Sequence, residues 1–251
     1  MKRTFLNYDK PIITSMVLAD TPERTKELID KSVSLGAEAI GMQVEKLLPE
    51  YRCEGVYREL FSYVDLPLYA TNYRSNSNAG KSDEELSEGL IEFAECGATL
   101  CDVMGDIYDK QPGEFTLDKS AVNKQMNLID RLHSLGAEVI MSSHVRRFIS
   151  AEEVLKIALE HQRRGADICK IVTGAENMAE QIENLRIVNL LKENLEIPFL
   201  YLSGGECSIL RRIGCNFGCC MYLGVAERDE FSAPEQPLLE DIKTIRNIFT
   251  F

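Results

Sequence analysis

The segment Leu135-Gly136-Ala137-Glu138-Val139-Ile140 ends a charged stretch of helical periodicity and begins an apolar run. The same arrangement recurs in Leu35-Gly36-Ala37-Glu38-Ala39-Ile40, Cys96-Gly97-Ala98-Thr99-Leu100-Cys101 and Arg164-Gly165-Ala166-Asp167-Ile168-Cys169. Glycine just past a helix can take the left-handed backbone conformation that ends it, and alanine then lets the chain turn tightly into a buried strand. Each of the four segments therefore predicts a joint between a helix and a strand.

These joints set the spacing of the remaining elements. Strands are predicted near residues 12–18, 37–44, 67–73, 99–104, 138–144, 167–173, 198–203 and 219–225. Helices are predicted between them, for instance over residues 21–35, 82–96, 150–164, 177–195 and 238–249. Eight strand–helix alternations without a linker predict a (β/α)8 TIM barrel, and we expect residues 1–251 to form one domain. An open doubly wound sheet is the alternative, but no glycine-rich dinucleotide-binding turn follows its first strand.

The composition limits the class of partner. The 251 residues carry a net charge of −12, which disfavours a nucleic-acid backbone but permits a small anionic substrate held by a few arginines. No apolar stretch approaches the roughly 18 residues that would span a bilayer, and residues 1–10 lack the apolar core of a signal peptide. We therefore expect a cytoplasmic protein that binds no membrane.

The eight cysteines are interpreted as free thiols in a reducing compartment. Their densest group is Cys215, Cys219 and Cys220. This group lacks a second cysteine or histidine pair at zinc-ligand spacing, so that ordinary burial is favoured and no metal site is predicted.

Two residues on neighbouring predicted strands indicate chemistry. Lys170 lies inside the run from Ile168 to Val172, and His144 ends the run that begins at Val139. Desolvation favours the neutral, nucleophilic form of a lysine, and a histidine at an adjacent strand end is suited to proton transfer. The pair indicates carbonyl chemistry through a Schiff base.

Both residues also have a structural interpretation. A lysine within a strand run is often an edge residue whose stem reaches water, and a histidine at a strand end can simply cap a loop. In a barrel, however, alternation places Lys170 on the inner face with Ile168 and Val172, and the carboxyl ends of the strands face the substrate. Polar residues predicted at these ends are Arg74, Asp102, His144, Lys170, Ser203 and the loop of residues 226–236.

Four stretches resemble, in order and spacing, the type I 3-dehydroquinate dehydratases. They are Val139-Ile140-Met141-Ser142-Ser143-His144, Gly165-Ala166-Asp167-Ile168-Cys169-Lys170-Ile171, Ile209-Leu210-Arg211-Arg212-Ile213-Gly214 with Phe217-Gly218, and Ser232-Ala233-Pro234-Glu235-Gln236. The resemblance extends over nearly the whole chain, and its last stretch is the most specific.

The resemblance implies a shikimate-pathway hydro-lyase that converts 3-dehydroquinate to 3-dehydroshikimate without metal or organic cofactor. Lys170 would form the imine with the C3 ketone, and His144 would move the C2 proton, protonate the departing hydroxyl and assist formation and hydrolysis of the imine. Residues matched to substrate binding are Arg211, Ser232 and Gln236 at the carboxylate and Arg74 at the hydroxylated side. Family members often pair, which implies a homodimer.

The chain departs from the family pattern at positions that the resemblance assigns to binding substrate hydroxyls and to orienting the catalytic histidine. Gly41-Met42-Gln43 replaces a Glu-x-Arg pair, and Asn78 aligns with the carboxylate that orients the catalytic histidine. Gln43 and Asn78 are expected to serve as neutral substrate-binding partners. Each lost charge-assisted hydrogen bond removes about 1.5–3 kcal/mol of binding.

These departures leave alternatives open: a paralogue that uses the same lysine and histidine on another β-hydroxy ketone carboxylate, a class I aldolase, and a non-catalytic barrel. Ser203-Gly204-Gly205 could offer backbone amides to the phosphate of an aldolase substrate. The acidic residues of the last loop, Glu227, Asp229, Glu230 and Glu235, disfavour such a dianion.

Overall fold

The computed structural model describes residues 3–6 and 8–249, in which eight strands alternate with eight α-helices. The strands are β1 (Ile12–Val17), β2 (Ala39–Gln43), β3 (Leu68–Thr71), β4 (Leu100–Met104), β5 (Glu138–His144), β6 (Ile168–Gly174), β7 (Phe199–Gly204) and β8 (Met221–Gly224). The helices are α1 (Pro22–Ser34), α2 (Glu54–Phe61), α3 (Asp83–Glu95), α4 (Lys119–Ser134), α5 (Ala151–Arg163), α6 (Met178–Asn194), α7 (Leu210–Phe217) and α8 (Leu239–Ile248).

The eight strands form one parallel sheet in the order β7-β6-β5-β4-β3-β2-β1-β8. β7 and β8 meet through a hydrogen bond from the Cys220 N–H to the Phe199 carbonyl (2.9 Å), and the Cys219 thiol accepts the N–H of Tyr201 (3.4 Å). The sheet therefore nearly closes on itself. The predicted (β/α)8 barrel is confirmed, and the doubly wound alternative is wrong.

The four predicted joints share one backbone geometry. Gly36, Gly97, Gly136 and Gly165 have φ values of 90°, 104°, 87° and 96°. The alanine after each glycine donates its N–H to the carbonyl five residues earlier, as Ala137 does to Leu132 (3.2 Å), which is the Schellman ending of a helix. Glu138 then donates its N–H to the carbonyl of Thr99 (2.8 Å), so that pairing with the neighbouring strand begins at once.

A buried arginine holds the loop of residues 105–118, which connects β4 to α4. Arg164 is 1% exposed and donates to the carbonyls of Gly105 (3.1 Å) and Thr116 (2.6 Å) and to Gln125 Oε1 (2.8 Å). Unpaired buried carbonyls are costly, so these bonds fix the path of the loop.

The same loop approaches β5 closely at Gly105. A Cβ added there would lie 2.6 Å from the carbonyl oxygen of Glu114, 2.7 Å from Ser143 Oγ and 3.0 Å from His161 Nε2. Ser143 Oγ donates to the Glu114 carbonyl (2.7 Å), and burial lowers the pKa of His161 to about 3, so that its imidazole is neutral beside Ser143. Glycine at this position therefore lets the loop bring Glu114 to the end of β5.

We expect Arg164→Ala to lower the free energy of unfolding by about 3–5 kcal/mol, because buried acceptors lose their donor. Chemical denaturation followed by circular dichroism measures the loss. Arg163→Ala is the matched control, since Arg163 binds the same Glu160 (2.8 Å) from an exposed position and should cost less than about 1 kcal/mol. Equal losses in the two variants would contradict the anchoring role of Arg164.

Candidate active site

A cavity of about 550 Å³ opens at the carboxyl ends of the strands. One side of its lining is apolar and consists of Met16, Leu18, Val172, Leu202 and Leu223. Its polar lining includes Gln43, Tyr69, Tyr73, His144, Arg146, Lys170, Arg211 and Gln236. Five of the residues predicted from the sequence, Lys170, His144, Gln43, Arg211 and Gln236, therefore meet in one cavity.

Lys170 points into the barrel, as the alternation in β6 indicated, and is 6% exposed. Its Nζ lies 3.0 Å from the Tyr69 hydroxyl, 3.4 Å from the Tyr73 hydroxyl and 3.2 Å from Asp102 Oδ2. Both phenols also donate to Asp102 Oδ2, Tyr73 at 2.8 Å. The ammonium thus has an acceptor for each of its three N–H groups.

The protonation states within this cluster follow from burial and charge. Burial raises the pKa of Asp102, but the Lys170 ammonium and the neighbouring Ser142 and Tyr69 hydroxyls more than offset this and hold the pKa below its ordinary value. Burial and the charge of Asp102 raise the pKa of Tyr69 and of Tyr73 well above the ordinary value. The cluster therefore combines a carboxylate with two neutral phenols that remain proton donors.

His144 ends β5 at the rim of the cavity. Its Nδ1 lies 2.6 Å from Glu114 Oε2, and its ring packs edge-on against Tyr73 with 5.2 Å between centroids. A carboxylate on Nδ1 fixes the orientation of an imidazole and leaves Nε2 to exchange protons with a substrate. In the register of the sheet His144 pairs with Val172, two residues from Lys170.

Asn78 does not have the role predicted from the sequence. It is fully buried, donates to the backbone carbonyl of Tyr73 (2.8 Å) and accepts from Arg52, so that its amide is satisfied within the loop after β3. It does not line the cavity. Glu114 supplies the carboxylate from the loop after β4, and the expectation that His144 lacks a carboxylate partner is wrong.

Arg74 is occupied by carboxylates of the protein itself. It donates to both oxygens of Asp83 (2.7 and 2.8 Å) and to Asp106 Oδ1 (2.7 Å). Burial alone lowers the pKa of Arg74, but these two partners raise it above the ordinary value. The structure places Arg74 in an adjoining cavity of about 600 Å³ rather than in the cavity that contains Lys170.

Two of the three residues predicted to bind the substrate carboxylate line the cavity, and the third does not. Arg211 and Gln236 line the cavity, and Arg211 Nε donates to the carbonyl of Ser203 (3.0 Å), which fixes the guanidinium; burial lowers the pKa of Arg211. Ser232 does not line it. Its hydroxyl donates to the carbonyl of Asp229 (2.9 Å) and so shapes the loop that carries Gln236.

The space that a side chain at Gly41 would need is already filled. A Cβ built there would lie 2.4 Å from Met16 Sδ and 3.1 Å from the Tyr69 ring. A glutamate at this position would displace Met16 and the phenol that contacts Lys170. Gln43 therefore remains as the neutral polar group on this side of the cavity.

Glu45 is a buried carboxyl that the sequence analysis missed. It is 1% exposed, accepts from Thr71 Oγ1 (2.8 Å) and lines the adjoining cavity together with His144 and Gln43. Burial raises the pKa of Glu45 to about 7. Near neutral pH this side of the site thus carries less negative charge than its composition suggests.

Among residues 3–6 and 8–249, no three His, Cys, Asp or Glu side chains form a group that could hold a metal ion. Nor does that part of the chain contain a helix long and apolar enough to cross a membrane.

A family model described as type I 3-dehydroquinase matches residues 13–250. The chain belongs to the type I 3-dehydroquinase family. This family member is 26% identical over 249 residues to the bifunctional 3-dehydroquinate dehydratase/shikimate dehydrogenase of Arabidopsis thaliana, an alignment that covers 94% of the chain and 37% of that protein. It is 33% identical over 124 residues to 3-dehydroquinate dehydratase of Syntrophotalea carbinolica, which covers 48% of each protein. The matches thus span half or less of these relatives.

Solved structures of the family have the same fold. The type I 3-dehydroquinate dehydratase of Clostridium difficile, solved with covalently modified comenic acid, superimposes with a TM-score of 0.80 at 20% identity, covering 96% of this chain and 93% of that one. The enzyme of Geobacillus kaustophilus gives a TM-score of 0.81 at 16% identity, covering 98% and 95%. At these identities the likeness establishes the fold.

We expect Glu114→Gln to lower kcat about 10²-fold, because the imidazole loses the charge that orients it and stabilises its protonated form. Steady-state kinetics with 3-dehydroquinate measures this. Glu176→Gln is the matched control, since Glu176 lines the same cavity without a hydrogen bond to His144, and its kcat should stay within a few-fold of the unaltered protein. An unchanged kcat in Glu114→Gln would remove Glu114 from the site.

Proposed function

We propose that this chain is a hydro-lyase that dehydrates 3-dehydroquinate to 3-dehydroshikimate in the shikimate pathway through a Schiff base on Lys170. The observation that supports the proposal most strongly is the arrangement of β5 and β6, which directs an amine and an imidazole into one cavity. Membership of the type I 3-dehydroquinase family supports the choice of substrate.

Lys170 performs the covalent step in this proposal. Its nitrogen condenses with the C3 ketone, and the resulting iminium withdraws electrons from the adjacent C2–H bond. The barrier to proton removal falls because the charge that develops is delocalised into the iminium.

His144 performs the proton transfers of the elimination. Its Nε2 removes the C2 proton, and the imidazolium, stabilised by Glu114 on Nδ1, returns a proton to the departing C1 hydroxyl. The hydroxyl leaves as water, and hydrolysis of the imine releases the product.

Arg211 and Gln236 are the groups that support carboxylate binding. A guanidinium fixed through Nε retains N–H donors for a carboxylate, and Gln236 adds a neutral donor on the same side. Arg74 has no part in this binding, because Asp83 and Asp106 occupy it.

A paralogue function is the second candidate, and one observation favours it. Met16 and Tyr69 fill the space beside Gly41. An apolar side chain and a phenol therefore lie where the family pattern implies charged residues that bind substrate hydroxyls. A β-hydroxy ketone carboxylate with fewer hydroxyls would meet the same lysine, histidine and arginine. An aldolase with a phosphorylated substrate is disfavoured, because Glu176 and Glu235 line the cavity.

We expect borohydride treatment in the presence of 3-dehydroquinate to leave a stable adduct on Lys170, detected by intact mass and peptide mapping. Lys170→Ala should abolish both the adduct and turnover, with the fold checked by circular dichroism because Asp102 loses its cationic partner. Lys110→Ala, which alters a lysine of the adjoining cavity, should retain both. Turnover in Lys170→Ala would disprove the covalent route.

We expect Arg211→Ala to raise KM for 3-dehydroquinate about 10–100-fold, because a charge-assisted contact to the carboxylate is lost. Arg212→Ala is the matched control: Arg212 is the next residue of α7 and does not line the cavity, so KM should stay within a few-fold. Steady-state kinetics compares the two variants. Equal KM values would place the carboxylate elsewhere in the cavity.

A further inference from the structure

The chemistry proposed above also requires proton transfers at the Lys170 nitrogen itself. An ammonium that becomes an iminium gives up two protons, and both end in the water that departs. His144 lies at the rim, whereas the groups that the structure places within hydrogen-bond distance of the lysine nitrogen are Tyr69, Tyr73 and Asp102.

We propose that Asp102 and Tyr73 form the proton relay for imine formation at Lys170, an inference that rests on the Schiff base proposed above. Asp102 is the base that takes a proton from the lysine nitrogen, and Tyr73 is the acid that delivers protons to the substrate oxygen.

The two oxygens of Asp102 differ in a way that suits a base. Oδ2 accepts from Lys170 and from both phenols, whereas Oδ1 is buried and accepts from none of these three groups. At Oδ1, Asp102 can bind a proton without losing its hydrogen bonds at Oδ2.

The position of Tyr73 distinguishes it from Tyr69. Tyr69 lies within β3, is fully buried, packs against Phe5 and lines only the cavity that contains Lys170. Tyr73 lies two residues beyond the end of β3, lines both cavities and contacts the ring of His144. Its hydroxyl contacts Lys170 and Asp102, so that Tyr73 connects the lysine nitrogen with the rim of the cavity at His144. The phenol stays neutral because its pKa is raised, so it has a proton to give.

The protons balance over three steps. Asp102 takes one proton from the ammonium, and the amine forms the N–C bond while the carbonyl π pair moves to oxygen. Tyr73 gives its proton to that oxygen and takes one from the nitrogen, which produces the neutral carbinolamine. Tyr73 then gives its proton to the carbinolamine hydroxyl and takes the proton held by Asp102. The C–O bond breaks, water leaves, and the nitrogen lone pair forms the C=N bond. One hydrogen remains on nitrogen and two are in the water.

Two reactions of Lys170 separate this role from a structural one. Carbamylation by cyanate needs a neutral amine, whereas reductive trapping with pyruvate and cyanoborohydride also needs the carbinolamine to lose water. Both rates at Lys170 are measured by quenched time courses and peptide mass. Pyruvate is used because imine formation can then be followed without dehydration of 3-dehydroquinate.

Tyr73→Phe should slow trapping about 10²-fold while carbamylation stays within about threefold of the unaltered protein. Asp102→Asn should slow trapping similarly without slowing carbamylation, because removing the carboxylate charge favours the neutral amine. Tyr222→Phe is the matched control: its buried hydroxyl has no partner among the described residues, and both rates should be unchanged. Tyr69→Phe should slow trapping by less than about tenfold.

A parallel loss of both reactions in Tyr73→Phe or Asp102→Asn would reduce these residues to structural roles and overturn the proposal. An equal loss of trapping in Tyr69→Phe would overturn the assignment to Tyr73. If neither pyruvate nor 3-dehydroquinate gives an adduct, the relay fails together with the Schiff base. Adducts that respond as expected, without release of 3-dehydroshikimate, would support the relay and contradict the dehydratase function alone.

Discussion

The ion pair between Lys170 and Asp102 is the contact on which the arrangement of the site depends. An isolated ammonium inside a barrel is unfavourable by several kcal/mol, and a carboxylate with two phenols offsets that cost. Asp102 belongs to β4 and Lys170 to β6, with β5 between them. Both side chains meet beside β5 on the inner face of the barrel, so that the fold encloses the reactive amine together with its carboxylate partner.

The position of His144 depends on a second network, which is built from backbone groups. Arg164 holds the carbonyls at both ends of the loop after β4, and Gly105 allows that loop to touch β5. Glu114 reaches the imidazole from this loop with a backbone φ of 52°, a conformation that non-glycine residues seldom adopt. Strain of this kind persists where the surroundings hold the residue, and here it orients the histidine.

The sequence predicts what periodicity and local turn chemistry determine. The barrel could be predicted from the glycine–alanine joints, because a Schellman ending of a helix is encoded within six residues. The inward direction of the Lys170 side chain could be predicted from the alternation of residues in β6. Alternation in β3 places Tyr69 on the same face as Thr71, so its inward direction could have been predicted in the same way. The sequence of β3 alone does not indicate that Tyr69 contacts a lysine of another strand.

Other parts of the site were beyond such reasoning. Glu114 stands in an irregular loop, and its approach to His144 depends on Gly105 and Arg164, which lie 9 and 50 positions away. Alignment with the family instead selected Asn78, whose amide the structure uses to close the loop after β3. The imidazole requires an acceptor at Nδ1, and here the loop after β4 supplies it through Glu114.

The distribution of charge determines how a substrate can lie in the cavity. On the side of β1, β2 and β3, Met16 and Tyr69 occupy the space beside Gly41, and burial raises the pKa of Glu45 to about 7 and so favours its neutral form. The charge of Asp102 is balanced by Lys170, which leaves Arg146 and Arg211 as the cations of the lining that can attract a carboxylate. Binding of one carboxylate to these arginines sets the direction of the molecule but does not by itself fix its rotation about that direction. The fit of the ring against Met16 and Tyr69 must supply the second constraint, so that shape rather than charge selects the substrate on this side.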